Sequence, residues 1–319
     1  MSTVTNQPGH TGPLRSARPR RRRRWGWQHL MVIGVAVLGA CVLTYPSAAS
    51  WFSDYSHATD ADGYITKVQS LPSEQKTQLM NAANDYNKHL PTGPLRDPYV
   101  LDPNGQETAI GDGIEKYFTQ LSTGTSDAMA RVRIPTLKVD LPIFHGTDEH
   151  TLSRGVGHLY GSSLPVGGPS THTVLTAHSG FVTATLFDNL HQLVKGDVVV
   201  LDVLDQTLYY KVDQILTVKP EETDALRQIP DKDYITLVTC TPTGVNTHRL
   251  LVRAERMPAP VGDEGTLLIP NQTSGPGLPW WVLVVITVSL GSYLLVRPAK
   301  SAATYTPVPA GKSPDPGSL

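Results

Sequence analysis

The sequence predicts a mainly β domain, a small closed or semi-closed barrel, with helices before it and an apolar, membrane-type segment on each side. Three observations carry this. From Met129 to Glu255 the chain consists mostly of short β-prone runs separated by turn residues. Ahead of them, residues 54–90 place apolar side chains at the i, i+3, i+4 spacing of a helix. Outside both lie two runs without a charged residue, 30–45 and 278–296.

In chain order, residues 1–27 are expected to be a disordered basic tail, with arginines at positions 15, 18 and 20–24 and no acidic residue. Segment 28–50 is expected to be a transmembrane anchor or a signal segment. Its uncharged run of 16 residues is flanked by Trp25, Trp27 and Trp51, and a spanning helix needs about 20 apolar residues. Ser47-Ala48-Ala49 is a small-residue stretch of the kind at which a signal peptide is cleaved, so both readings stay open. Segment 278–296 is expected to be a transmembrane helix: it has 19 uncharged residues, Trp280 and Trp281 at one end and Arg297 at the other. A soluble core helix would show a polar face.

The positive-inside rule keeps the arginine-rich start and the basic tail 297–319 in the cytoplasm. Residues of about 50–277 then face outward at the cell membrane, and both termini are cytoplasmic if the first span is uncleaved. The stretch 46–279 holds 17 Lys and Arg against 27 Asp and Glu. Nucleic-acid binding would need that balance reversed on the folded part.

The outward part opens with helices and a loop, 51–128. Ser73, after Pro72, is expected to cap a helix running through Leu79, Met80, Ala83 and Tyr86. Residues 91–105 contain four prolines and two glycines, which excludes regular structure and predicts a long surface loop. Long loops in compact domains often carry function. The barrel proper is expected over 129–257, with strands at 130–134, 173–177, 198–203, 208–218, 234–239 and 249–254 and short helices at 151–155 and 183–190. Residues 258–277 form a Pro/Gly-rich linker. The eleven histidines are scattered, with no metal-ligand spacing, so no metal or cofactor is expected.

The chain has two cysteines. Cys41 lies in the first apolar run, so Cys240 has no disulfide partner in the outward domain. It is either a small buried hydrophobe or a reactive thiol. It ends a predicted strand, and Arg249 begins the next one, after a turn built on Pro242 and Gly244. If the strands are neighbours the two residues meet. A guanidinium there could favour the thiolate and stabilise an oxyanion. His178 ends another predicted strand and could act as general acid. Residue types alone allow a Cys/His hydrolase or transferase on the cell surface, and equally a non-catalytic surface scaffold with Cys240 in its core.

The run Thr236-Leu237-Val238-Thr239-Cys240 with Arg249 downstream resembles the signature of a sortase. The stretches 134–147, 155–180 and 239–256 resemble a class C, pilus-assembling sortase, and the resemblance covers about residues 55–256. It implies an eight-stranded β-barrel, with Cys240 as nucleophile, His178 as general acid/base and Arg249 as the substrate- and oxyanion-stabilising residue. Thr239 would help position substrate. The implied reaction is cleavage of an LPxTG-like sorting signal after Thr, a thioester on Cys240, and transfer to a pilin lysine amine. The partners would be pilin subunits and the membrane. Asp97-Pro98-Tyr99 matches the Asp-Pro-aromatic lid of class C sortases, so Asp97 would pair with Arg249 while Tyr99 covers Cys240. Ser179 departs from the Arg that many relatives carry after the histidine. A housekeeping sortase, attaching proteins to a peptidoglycan amine, is the neighbouring alternative.

Overall fold

The computed structural model describes residues 26–90, 95, 97, 114–124, 127–181, 184–260 and 277–297. Two compact units are present, one of residues 1–42 and 283–319 and one of residues 43–282. Helix α1 (Trp27–Ser70) runs without interruption through Pro46. Its apolar first half exposes Leu38, Val42 and Leu43, as a lipid-facing helix would. By length and composition α1 can cross a membrane, whereas the last helix, α5 (Trp280–Val296), is apolar but has 17 residues. The second expected span is therefore the weaker of the two.

In its second half α1 turns one face to the barrel. Ala61, Tyr64 and Val68, at i, i+3 and i+7, are buried. The Tyr64 hydroxyl, itself buried, accepts a 2.8 Å bond from the Leu204 amide. Tyr64→Phe leaves that amide without a partner, so chemical denaturation should show a loss of about 1–3 kcal/mol; an unchanged midpoint would mean that water replaces the bond.

Helix α2 (Ser73–Lys88) begins one residue earlier than expected, because Pro72, with extended backbone angles, takes the cap position expected of Ser73. Ser73 is thus the first helical residue and no side chain caps the helix. At the other end the Asn87 side chain clasps Leu164, accepting from its amide at 2.8 Å and donating to its carbonyl at 3.2 Å. A short helix α3 (Ile114–Thr119) carries Tyr117, whose buried hydroxyl meets His158 Nδ1 at 3.0 Å, donates to the His158 carbonyl at 2.9 Å and accepts from the Gly146 amide at 2.9 Å.

Among the described residues eight strands close a barrel: β1 (Ala128–Ile134), β2 (Val139–His145), β3 (Val156–His158), β4 (Thr171–Thr176), β5 (Val198–Val203), β6 (Gln206–Val218), β7 (Asp233–Thr241) and β8 (His248–Met257), in the spatial order β1-β2-β3-β4-β7-β8-β6-β5. The eight-stranded barrel implied by the family resemblance is thus present. Pairing of β5 with β1, with Leu201 opposite Val132, closes it. Val132, Ile134, Leu201, Leu237 and Val252 fill the interior. Between the inward residues of β1 stand Arg131 and Arg133, both buried and both paired. Arg131 makes a bidentate pair with Asp140, and Arg133 binds Asp202 at 2.7 Å.

Two strands escaped the periodicity reading. β2 contains Pro142, which argues against a central strand. It is tolerated because β2 pairs with β3 only from Ile143 onward, so no ladder bond on that side is forgone at the proline. β3 has three residues, too few to show a period. The expected helix 183–190 is not formed over residues 184–189. There the Phe187 amide donates to the His178 carbonyl and the Gly180 amide to the Asp188 carboxylate, so the segment folds back on the loop after β4. A single 3₁₀ turn follows at Leu190–Gln192. Helix α4 (Glu149–Arg154) starts two residues before its expected position because Asp148 caps it, accepting from the Thr151 amide at 2.6 Å.

Candidate active site

The parallel strands β4 and β7 end at the same rim of the barrel. Thr176 is opposite Val238, and the Ala177 amide continues the ladder to the Val238 carbonyl at 3.2 Å. His178 then lies two residues past β4 and Cys240 two residues past Val238 in β7, which brings them level. The two strand ends are clasped by side chains. Thr239 is buried and its hydroxyl donates to the Ala177 carbonyl at 2.7 Å, and Ser179 donates to the Cys240 carbonyl at 2.6 Å. Thr239 therefore acts on the strand junction, and Ser179, whose significance was open from sequence, does the same from the other side. The Gly180 backbone passes so close to Thr243 that a β-carbon would collide with it, and its φ of +75° also favours glycine.

From Cys240 the chain turns tightly. The Val245 and Asn246 amides both donate to the Pro242 carbonyl, Gly244 has a φ of +80°, and β8 begins at His248. Arg249 consequently stands directly opposite Cys240 in the antiparallel register. The conditional expectation that these two strands are neighbours is met.

Arg249 is fully engaged in this arrangement. Its Nε and Nη2 donate to the two carboxylate oxygens of Asp97 at 2.9 and 2.7 Å, and both side chains are buried. Nη1 donates to the Asn246 and His248 carbonyls at 3.1 and 3.2 Å. Two residues before Asp97, Leu95 packs on a satellite apolar cluster of Leu159, Val174, Leu226, Val238 and Leu251. The Asp97–Arg249 contact matches the expected pairing, while Pro98 and Tyr99 lie outside the described residues.

The Cys240 side chain is 8% exposed. Burial raises its thiol pKa, Arg249 opposes this, and Asp97 adds to the rise. The expected effect of the neighbouring cation, favouring the thiolate, is present but is outweighed chiefly by burial, with Asp97 a smaller contribution. His178 is half-buried. Its ring stacks on Phe181 with centroids 5.4 Å apart and planes 6° from parallel, and its Nε2 lies 3.4 Å from Glu149 Oε2.

A protein-family model described as the Sortase domain matches residues 132–257, which is the barrel from β1 to β8. The crystal structure of sortase C-1 from Actinomyces oris is 50% identical, with 58% of this chain and 99% of that one covered and a TM-score of 0.55. This chain belongs to the sortase family. A pilus-related sortase C of Group B Streptococcus is 40% identical to this sortase, over 61% of this chain and 95% of that one, with a TM-score of 0.55. Sortase A of Streptococcus agalactiae is 32% identical over 127 residues, 39% of this chain and 51% of that protein. The chain therefore spans about half the length of that curated relative. Glu149, Leu95 and Asp188 were not singled out by sequence as parts of this rim. An exposed glutamate, a loop leucine and a turn aspartate carry no pattern until the fold gathers them.

Proposed function

We propose that this sortase is a class C cysteine transpeptidase that polymerises pilins on the cell surface. One observation carries the reading: the arginine opposite Cys240 is held by a carboxylate from the segment that resembles a class C lid, as a site with a built-in occupant would be. Similarity to sortase C structures from two organisms supports it. In this reading Asp97, with Pro98 and Tyr99, withdraws before substrate enters, and Tyr99 covers Cys240 at rest.

The chemistry then divides among three side chains. The Cys240 thiolate attacks the carbonyl carbon of Thr in an LPxTG-like sorting signal. Arg249, released from Asp97, donates to the oxyanion that forms. His178, protonated, gives its proton to the departing Gly amine as the C–N bond breaks, which leaves a thioester on Sγ. A pilin lysine amine attacks the thioester and passes a proton to His178. The Cys240 thiolate leaves, and an isopeptide bond remains. Thr239 serves by holding the strand junction on which Cys240 and His178 stand. We place the barrel outside the membrane, anchored by α1 and supported by α5, with both tails cytoplasmic where α1 is retained.

Similarity to a sortase A favours a second reading, attachment of surface proteins to a peptidoglycan amine. Acceptor competition separates the two. With an LPxTG peptide as donor, full-length protein offered equal amounts of a lysine-bearing pilin and a wall-type peptide amine should form mainly the lysine isopeptide product. Exclusive use of the wall-type amine would replace pilus assembly with wall anchoring.

A further inference from the structure

We infer that a cavity on the α4 flank of the barrel, centred on Arg154, binds a carboxylate-bearing segment of the acceptor subunit, an inference that rests on the pilin-polymerising reading above. The cavity measures about 310 Å³ and is lined in part by Phe118 of α3, by Asp127, by Phe144 and His145 of β2, and by His150 and Arg154 of α4. A neighbouring cavity shares Asp127, Phe144 and Arg154 and extends the groove toward Lys67 of α1. Neither is lined by Cys240, His178 or Arg249.

Arg154 is arranged to receive an anion. Its guanidinium lies over the Phe144 ring, 4.5 Å from the centroid. The next residue, Gly155, passes so close to the Pro142 carbonyl and the Phe144 ring that a β-carbon would not fit, so the backbone carrying Arg154 is seated on β2. Its one side-chain partner is held by a long contact, from Nη1 to Asp127 Oδ2 at 3.3 Å, and among the described residues Nε and Nη2 make no hydrogen bond. Arg131, Arg249 and Arg253, by contrast, each grip both oxygens of a carboxylate. A guanidinium held on a ring face with its fork unfilled matches a carboxylate through two parallel N–H···O bonds. His150, one helical turn before Arg154, faces the same cavity. The exposed Phe118 ring adds an apolar contact beside them.

The position of the cavity favours the acceptor. Helix α4 borders both the cavity and His178, since Glu149 in its first turn comes within 3.4 Å of His178 Nε2. In the proposed reaction the incoming amine takes the place of the departing Gly amine beside His178, whereas the acyl part of the donor lies toward Cys240 and Arg249 on β7 and β8. A helix with its side chains is about 10 Å across, and an extended chain covers that distance in about three residues. A carboxylate bound at Arg154 therefore belongs about three to five residues from the acceptor lysine. The stretch 46–279 is acidic overall, with 17 Lys and Arg against 27 Asp and Glu, so an acidic segment is repelled elsewhere on this surface and held here.

The probes are end-blocked peptides with a single lysine and a glutamate about three to five residues to either side, each paired with its glutamine counterpart. They are offered to full-length protein with an LPxTG peptide as donor. For the best-placed pair the wild type should use the glutamate peptide about 3- to 5-fold better in kcat/KM, the scale of a partly exposed ion pair. Arg154→Gln should remove that preference, and Arg154→Lys, which keeps the charge without the fork, should retain part of it. Asp127→Asn, which removes the competing carboxylate, should enlarge it. Donor hydrolysis without acceptor checks that each variant is folded. No glutamate preference in the wild type, or one that survives Arg154→Gln, would overturn the site. An Arg154 dependence that followed a glutamate placed in the donor beyond its Gly would do the same. Wild-type protein that used a wall-type amine but no lysine peptide would instead overturn the pilin reading, so the two failures are distinguishable.

Discussion

Cys240→Ala should reduce cleavage of an LPxTG-type peptide to background, a loss of about 10⁴-fold or more in kcat, while leaving the thermal midpoint nearly unchanged. The size follows from chemistry: without the sulfur no acyl-enzyme forms, and oriented neighbours alone retain only a small part of the catalysis. The small structural cost follows from position. Cys240 sits at the last but one residue of β7, at the rim, and its backbone is held by the register with Arg249 and by Ser179 bonding to its carbonyl. Removal of one small side chain there leaves both contacts in place. Peptide turnover by the purified variant, followed by chromatography, checks this. Retained turnover would return the chain to the surface-scaffold reading, with Cys240 a core residue.

Asp97→Ala should act in the opposite direction. Reaction of Cys240 with a small charged thiol reagent at pH 7 should accelerate about tenfold. Burial is the main cause of the raised thiol pKa; Asp97 adds to it, so removing Asp97 leaves the lowering by Arg249 without an opposing charge. Breaking a buried pair by removing one partner also leaves Arg249 uncompensated, so the segment that carries position 97 should dissociate and admit solvent. The sign in pH follows. In the wild type, burial raises the thiol pKa, so labelling should rise at more alkaline pH than for a free thiol. In the variant the same rise should begin at lower pH. Superimposable labelling curves would remove Asp97 from control of the site. Because Leu95 packs independently on the barrel, Leu95→Ala should give a smaller increase of the same sign.

Much of this architecture was legible in the sequence, and the parts that were not have physical causes. Long strands such as β6 and β7 announce themselves through β-branched and aromatic content. The short strand β3 and the proline-bearing β2 do not, since one lacks length and the other contains a residue that usually forbids a ladder. The expected helix at 183–190 failed because its polar groups bond backward to His178 and Gly180. At the site, the turn chemistry around Pro242 and Gly244 made the meeting of Cys240 and Arg249 readable. The Asp97 contact was readable only through the family resemblance, since 152 residues separate it from Arg249. Glu149 was out of reach by either route. Its place depends on how α4 sits on β3, which in turn depends on the missing side chain of Gly157.

The account stands or falls on Cys240 as the acylated atom behind an Asp97 gate. The most direct measurement is intact-mass and peptide-mapping analysis of full-length Asp97→Ala protein, acid-quenched after mixing with an LPxTG-type peptide. The account predicts an adduct equal to the acyl fragment ending in Thr, located on the Cys240 peptide, released by hydroxylamine and more abundant than in the wild type. Peptide cleavage without any adduct on Cys240, or with the adduct on another residue, would contradict it.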